Sequence, residues 1–258
     1  MKQVVVKIGG STLGSHDSTL DDLVALQKQG RTPVVVHGGG NAITQWMDRL
    51  GLQARFVRGL RVTDASALQV VTSVLAGLVN KELVSGLQAR GGKVVGISGL
   101  DGGMVKARIL DVELGYVGEV TQVDTAPLKA LLGAGFMPVV APLGLGEVDG
   151  TTVPLNINAD TFAGEVAAAL GAGQLIFLTD VPGVQDASKR LLPRLSPKET
   201  QSLIQSGVIG QGMIPKVEAC LRATRVGAMA FIVDGRESGA LLRAIEGRGQ
   251  GTTFKEES

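Results

Sequence analysis

Apolar positions along the chain fall into two alternating patterns. Short unbroken runs rich in β-branched residues include Val4-Val5-Val6-Lys7-Ile8, Pro33-Val34-Val35-Val36-His37, residues 93–97 and residues 137–141. Runs of this length and make-up predict strands buried on both faces. Between them, apolar residues recur at helical spacing. Leu20, Leu23, Val24 and Leu26 share one side of residues 18–29, with Gly30 as the stop. Asp64 is placed to cap a long helix running to residue 89, ahead of Gly91-Gly92. Phe162, Val166 and Leu170 mark a helix over 159–170. Ser196-Pro197-Lys198-Glu199 carries the N-cap, first-turn proline and third-position glutamate of a helix start.

Further helices are expected over 40–50, 126–132, 215–226 and 238–245, and strands over 175–178 and 229–233. Residues 57–62 read as a short strand or hairpin arm, and 105–123 as an antiparallel insertion of short strands. Asp149-Gly150 is a hairpin turn signal. Strands alternating with helices predict an α/β fold with an open, mostly parallel sheet sandwiched between helices. No linker separates the halves. The expectation is therefore two lobes sharing one continuous sheet, about 1–157 and 158–258, in a chain long enough to bury a substantial core.

Composition narrows the function classes. Glycine accounts for 37 of 258 residues, about double the usual share. The glycines have no collagen period and punctuate apolar segments. A net charge of +1 without long charged runs argues against nucleic-acid or membrane-surface binding by bulk charge. The scarcity of aromatics disfavours base-stacking platforms. The single cysteine, Cys220, excludes an intramolecular disulfide framework and a Cys-cluster zinc site. The chain shows no leader pattern and no apolar run near 18 residues, so a soluble cytoplasmic protein is expected.

Neither G-x-x-x-x-G-K-[ST] nor G-x-G-x-x-G occurs in the chain, so the common nucleotide fingerprints are missing. Other groupings carry candidate chemistry. Lys7-Ile8-Gly9-Gly10 puts a lysine and two glycines at the carboxyl end of the first strand, where open sheets gather ligands. His37-Gly38-Gly39-Gly40 repeats the arrangement after the second strand. Three glycines cost backbone entropy that one tight turn does not require, and they let the backbone approach an anion. His37 reads as a hydrogen-bonding brace for this loop rather than a metal ligand, since the only other histidine is His16 in a polar loop.

Arg61, between apolar neighbours, could grip a carboxylate through paired hydrogen bonds or lie exposed on a hairpin. In Asn156-Ile157-Asn158-Ala159-Asp160 the polar residues could cap a helix or hold nearby lysines. Lys216 falls at a helix start, which is unfavourable toward the helix dipole unless an anion is shared there. Residues 179–184 end the first strand of the second half, either as a nucleotide-binding turn or as a plain one. No Ser-His-Asp or Cys-His set stands out. Two lysines, one arginine and many backbone donors suit phosphoryl transfer, which rests on positioning and charge neutralisation.

These residues resemble the amino acid kinase family over nearly the whole chain. The resemblance rests on K-I-G-G at 7–10, H-G-G-G at 37–40, G-L-R-V-T at 59–63 and L-V-N-K at 78–81. It continues with G-x-S-G-L-D-G-G at 96–103, L-G-Y-V-G-E-V at 114–120, N-x-N-A-D at 156–160, D-V-x-G at 180–183 and G-M-I-P-K at 212–216. Each motif is short; their order and spacing are specific. Within the family, the chain is most similar to members that use ATP to phosphorylate the γ-carboxylate of N-acetyl-L-glutamate in arginine biosynthesis. S-G-L-D-G-G also resembles relatives that act on a carrier-linked aminoadipate in lysine biosynthesis. A non-catalytic nucleotide-binding regulator on the same fold is the third alternative.

The resemblance implies residue roles. Lys7 and Lys216 match the lysines that stabilise the transferring phosphoryl group, and Asp160 the aspartate that orients them. Gly10, Gly39 and Gly40 match glycines offering N–H groups to phosphate or substrate. Arg61 and Asn156 match the pair that binds the substrate α-carboxylate. Asp180, Val181, Pro182, Gly183, Val184 and Gln185, with Val208, Ile209 and Gly210, match the nucleotide pocket. The first lobe would hold the acceptor and the second the nucleotide. Mg²⁺ would bind mainly through ATP oxygens, with no protein metal ligand. The chain opens directly on its first strand, without the N-terminal helix of arginine-inhibited hexameric relatives. An arginine-insensitive homodimer is therefore expected, with the 64–89 helix as its contact element.

Overall fold

The computed structural model describes residues 2–9, 18–210 and 212–255. An eight-stranded sheet forms its centre. In spatial order it runs β12 (Arg194–Leu195), β14 (Thr252–Phe254), β13 (Met229–Asp234), β11 (Gln174–Thr179), β1 (Val4–Ile8), β2 (Val34–His37), β8 (Met137–Ala141), β5 (Val94–Ser98). Among these neighbours only β13 and β14 are antiparallel. The expected open, mostly parallel sheet is present. β1 lies between β2 of the first half and β11 of the second, so one sheet runs through both.

Helices cover both faces. α1 (Thr19–Lys28), α2 (Gly40–Arg49), α3 (Ala65–Thr72), α4 (Asn80–Ala89) and α9 (Ala240–Ile245) contribute to one apolar cluster with Val4, Val6 and Ile8. α5 (Ala126–Gly133), α6 (Ala159–Leu170) and α8 (Ile214–Thr224) contribute to the other with Val5, Val34 and Val36. The alternation of side chains along β1 and β2 thus feeds two cores. α7 (Pro197–Gln205) begins at the expected capping box, with Ser196 and Glu199 bonding reciprocally.

The expected 105–123 insertion is the antiparallel pair β6 (Val105–Ile109) and β7 (Val117–Val123). It closes into a small barrel with β9 (Leu143–Val148) and β10 (Thr151–Ile157), a closure that no local pattern predicts. The β9–β10 hairpin turns at Asp149 and Gly150, both at positive φ. β12 and β14 were missed, because elements of two and three residues leave no period to read. Residues 56–61 form an isolated hairpin, β3 (Phe56–Val57) and β4 (Leu60–Arg61).

The expected long helix is continuous but not uniform. Asp64 caps it by accepting from Ala67 N–H, and Ser73–Val79 between α3 and α4 is π-helical. By length and composition, Ala65–Ala89 is long and apolar enough to cross a membrane, and 44% of its most apolar window is buried in the protein. Gln69, Thr72 and Ser73 interrupt that stretch, so it contains no long unbroken apolar run.

α6 and α8 carry two of the candidate site residues and approach closely. A Cβ on Gly164 of α6 would lie 2.8 Å from the Ala219 Cβ and 2.9 Å from its Cα on α8. Gly164→Ala is expected to push the helices apart and cost about 1–3 kcal/mol, measured as a lower urea midpoint at unchanged m-value. An unchanged midpoint would show that this contact does not set the helix spacing.

Candidate active site

The carboxyl ends of β1 and β2 face a cleft of about 230 Å³. Lys7, Gly38 to Gly40, Arg61, Asn156, Asn158 and Asp160 line it, with Ile43, Phe56, Leu60, Leu75 and Val117 as apolar wall. The cleft therefore gathers Lys7, Gly39, Gly40, Arg61, Asn156 and Asp160 from the sequence-predicted residues. Gly10 lies outside the described residues.

Lys7 sits near the end of a strand with neighbours on both sides, so its side chain is only 7% exposed. Asp160, also 7% exposed, lies in the first turn of α6. Its Oδ1 is 2.7 Å from Lys7 Nζ, and its Oδ2 is 2.9 Å from Lys216 Nζ. Burial pushes the Asp160 carboxyl up, but the two ammonium groups outweigh it and hold it below the ordinary carboxylate value. The capping alternative is divided between two residues. Asn158 caps α6, accepting from the N–H groups of Asp160 and Thr161, which leaves both Asp160 oxygens to the lysines. Lys216 stands in the first turn of α8 and bonds Asp160 and the Gly212 carbonyl. Asp160 thus supplies an anion that offsets this unfavourably placed cation.

Arg61 is buried rather than exposed on its hairpin. Its Nη2 donates to the Gly40 carbonyl at 2.9 Å and to Thr44 Oγ1 at 2.7 Å, and its guanidinium carbon lies 4.7 Å from the Phe56 ring centre. Burial lowers its pKa below the ordinary guanidinium value, partly countered by Asp48, and a guanidinium stays charged there. Asn156 donates to Thr63 Oγ1 at 3.0 Å, and its carbonyl oxygen and second N–H have no partner among the described residues. His37 makes the expected brace, with Nδ1 2.8 Å from the Gly38 carbonyl.

The remaining predicted residues lie outside this cleft. Asp180 to Gln185 follow β11, whose end adjoins that of β1. Asp180, Pro182, Gln185 and Gly210 are exposed, and Val181 and Val208 are partly so. Gly183, Val184 and Ile209 are buried, the last two in the core. Val184 N–H is held by Thr252 Oγ1 at 2.8 Å. Phe56 and Leu60 were not singled out as cleft residues. Asn80 lies in L-V-N-K at 78–81, and nothing local to it in the sequence shows what it touches.

The sequence profile of the amino acid kinase family matches residues 2–234. The chain belongs to that family. This amino acid kinase is 47% identical to the acetylglutamate kinase of Novosphingobium aromaticivorans, over 98% of the chain and 90% of the relative. It is 44% identical to the acetylglutamate kinase of Dehalococcoides mccartyi, over 97% and 93%. Among solved structures, a Streptococcus mutans protein superposes with TM-score 0.84 at 31% identity, covering 98% of each chain. The expected family and fold class are both borne out.

Proposed function

We propose that this amino acid kinase transfers the γ-phosphoryl group of ATP to the γ-carboxylate of N-acetyl-L-glutamate, in arginine biosynthesis in the cytoplasm. The observation that carries the reading is Asp160 bridging Lys7 and Lys216 at 2.7 and 2.9 Å beside the Arg61 and Asn156 cleft. The names of the curated relatives support the acceptor.

A γ-carboxylate, with a pKa of about 4.3, is already ionised at neutral pH. No general base is needed. The carboxylate oxygen attacks the γ-phosphorus in line, and the bond to the β,γ-bridging oxygen breaks to release ADP. The obstacle is repulsion between anions. Lys7 and Lys216 offset it on either side of the transferring group, while Gly39 and Gly40, with Gly10 by resemblance, present N–H groups. Arg61 and Asn156 hold the α-carboxylate. The 1–157 lobe takes the acceptor and the 158–258 lobe the nucleotide. Asp180, Val181, Pro182, Gly183 and Gln185, with Val208 and Gly210, face the nucleotide. Val184 and Ile209 anchor those loops.

Mg²⁺ held on nucleotide oxygens fits these residues. No group of three or more His, Cys, Asp or Glu gathers for a metal among the described residues, and both Asp160 oxygens face ammonium groups. When bound, the ion would supply further neutralisation of phosphate charge.

Purified protein with ATP, Mg²⁺ and hydroxylamine should form acyl hydroxamate with N-acetylglutamate and little with glutamate, aspartate or free aminoadipate. Turnover confined to a carrier-linked aminoadipate would move the enzyme to lysine biosynthesis. No turnover with any acid would favour a regulatory role. We also propose a homodimer formed through the 65–89 helix, which leaves Leu78 partly exposed. Light scattering should give twice the 26.6 kDa chain mass; a monomer at micromolar concentration would refute the dimer.

A further inference from the structure

The buried His37 has a second partner that the reading above does not use. Its ring is fully buried, with Nδ1 2.8 Å from the Gly38 carbonyl and Nε2 3.2 Å from Asn80 Nδ2. Asn80 opens α4, immediately after the π-helical segment. Its amide nitrogen also faces the carbonyls of Ile97 at 3.2 Å and Val139 at 2.9 Å, while Lys81 Nζ donates to its Oδ1 at 2.9 Å. Two carbonyls accept only and an ammonium donates only, so the orientation of the Asn80 amide is determined. Its two N–H groups serve three acceptors, so one is shared between a carbonyl and His37 Nε2; because an amide nitrogen cannot accept, Nε2 cannot donate to it and takes the acceptor role. Nδ1 then carries the proton and donates it to the Gly38 carbonyl.

Room for this arrangement is built into neighbouring strands and helices. A Cβ on Gly96 would collide with Asn80 Oδ1, and one on Gly39 would lie 2.7 Å from Leu75 Cδ2 in the π-helical segment. π-helical segments of this kind recur at functional sites.

The Gly38–Gly39 peptide is trans, so its C=O and N–H point in opposite directions. A carbonyl turned toward His37 turns the Gly39 N–H away from it. That N–H has no partner among the described residues. We infer that Asn80 is a positioning residue: it holds His37 in the Nδ1–H tautomer, and His37 in turn holds the Gly38 carbonyl so that the Gly39 N–H faces the cleft, toward the oxygens of the transferring phosphoryl group.

The inference rests on the phosphoryl-transfer reading for its consequence, but not for its geometry. Burial, Lys7 and Lys81 keep the ring neutral, with a pKa of about 4 despite the opposing hydrogen bond to Gly38. Neutrality is required, because an imidazolium would present a second N–H to the Asn80 amide.

With His16 and His37 the only histidines, long-range ¹H–¹⁵N spectra of labelled protein resolve the tautomer directly. His37 should be neutral with its proton on Nδ1 at neutral pH. An Nε2–H tautomer or an imidazolium in the unmodified protein would overturn the inference, whether or not any variant folds. Asn80→Asp offers Nε2 an acceptor, so it should move the proton and lower kcat about 10- to 100-fold, with acceptor KM changed less than about threefold. His37→Asn can still donate to the Gly38 carbonyl from near the Nδ1 position and should retain more activity than His37→Gln, which places its amide nearer the Nε2 position. A moved proton with unchanged kcat, or equal activity of the two His37 variants, would reject the positioning role. An Nδ1–H tautomer in a protein without kinase activity would instead reject the proposed function and leave the geometry standing.

Discussion

Lys7→Ala is expected to lower kcat by at least about 10²-fold, with a much smaller change in acceptor KM. The ammonium lies at 7% exposure at the end of a central strand. A charge acts more strongly there than at the surface, and its position is set before reaction by Asp160. In the proposed reaction it meets phosphoryl oxygens whose charge shifts as the transition state forms, so its loss should fall on kcat. Lys7→Arg should rescue little, because a planar fork cannot replace a compact ammonium 2.7 Å from Asp160 Oδ1. Steady-state hydroxamate kinetics measure both constants. Unchanged turnover in Lys7→Ala would remove this lysine from the chemistry.

Asp160→Asn should damage stability as well as activity. The variant leaves Lys7 and Lys216 beside a neutral amide in a mostly buried site. Breaking a buried pair by removing one partner costs about 3–5 kcal/mol. The sign of the pH dependence follows from the carboxyl. Burial raises its pKa, the two ammonium groups lower it by more, and the folded value ends below the ordinary 3.8. The unfolded chain therefore binds this proton more readily than the folded one. The stabilisation is fully present above the unfolded pKa and is lost as pH falls through the folded value. Urea unfolding should show a large deficit for Asp160→Asn at neutral pH that narrows below about pH 4. A deficit independent of pH would mean that the charge of Asp160 does not contribute to folding.

These two residues also show what could be read before the fold was known. Read alone, Lys7 suits a surface lysine before a turn as well as an anion site; the order and spacing of the motifs around it favour the site. Asp160 was ambiguous, since an acid in the first turn of a helix is also a good dipole partner. The structure resolved the ambiguity by giving the cap to Asn158. Arg61 was equally open, and its burial against Phe56, Thr44 and Gly40 came only with the folded hairpin. His37 was read as a brace, but its tautomer depends on Asn80, 43 residues away.

By itself the sequence determined the local elements. Valine-rich runs make buried strands, Ser196 with Glu199 starts a helix, Asp149-Gly150 turns a hairpin, and Asp64 caps the long helix. Each depends on backbone preferences and side chains within a few residues, so each is written locally. The order of its short motifs also carried the family. Tertiary structure alone decided the barrel closure, the π-helical segment over Gly39, the spacing of α6 and α8, and the meeting of Lys7, Asp160 and Lys216. Those contacts join residues far apart in the chain. No local period encodes them; they exist only once the buried sheet brings the strand ends and helix starts together.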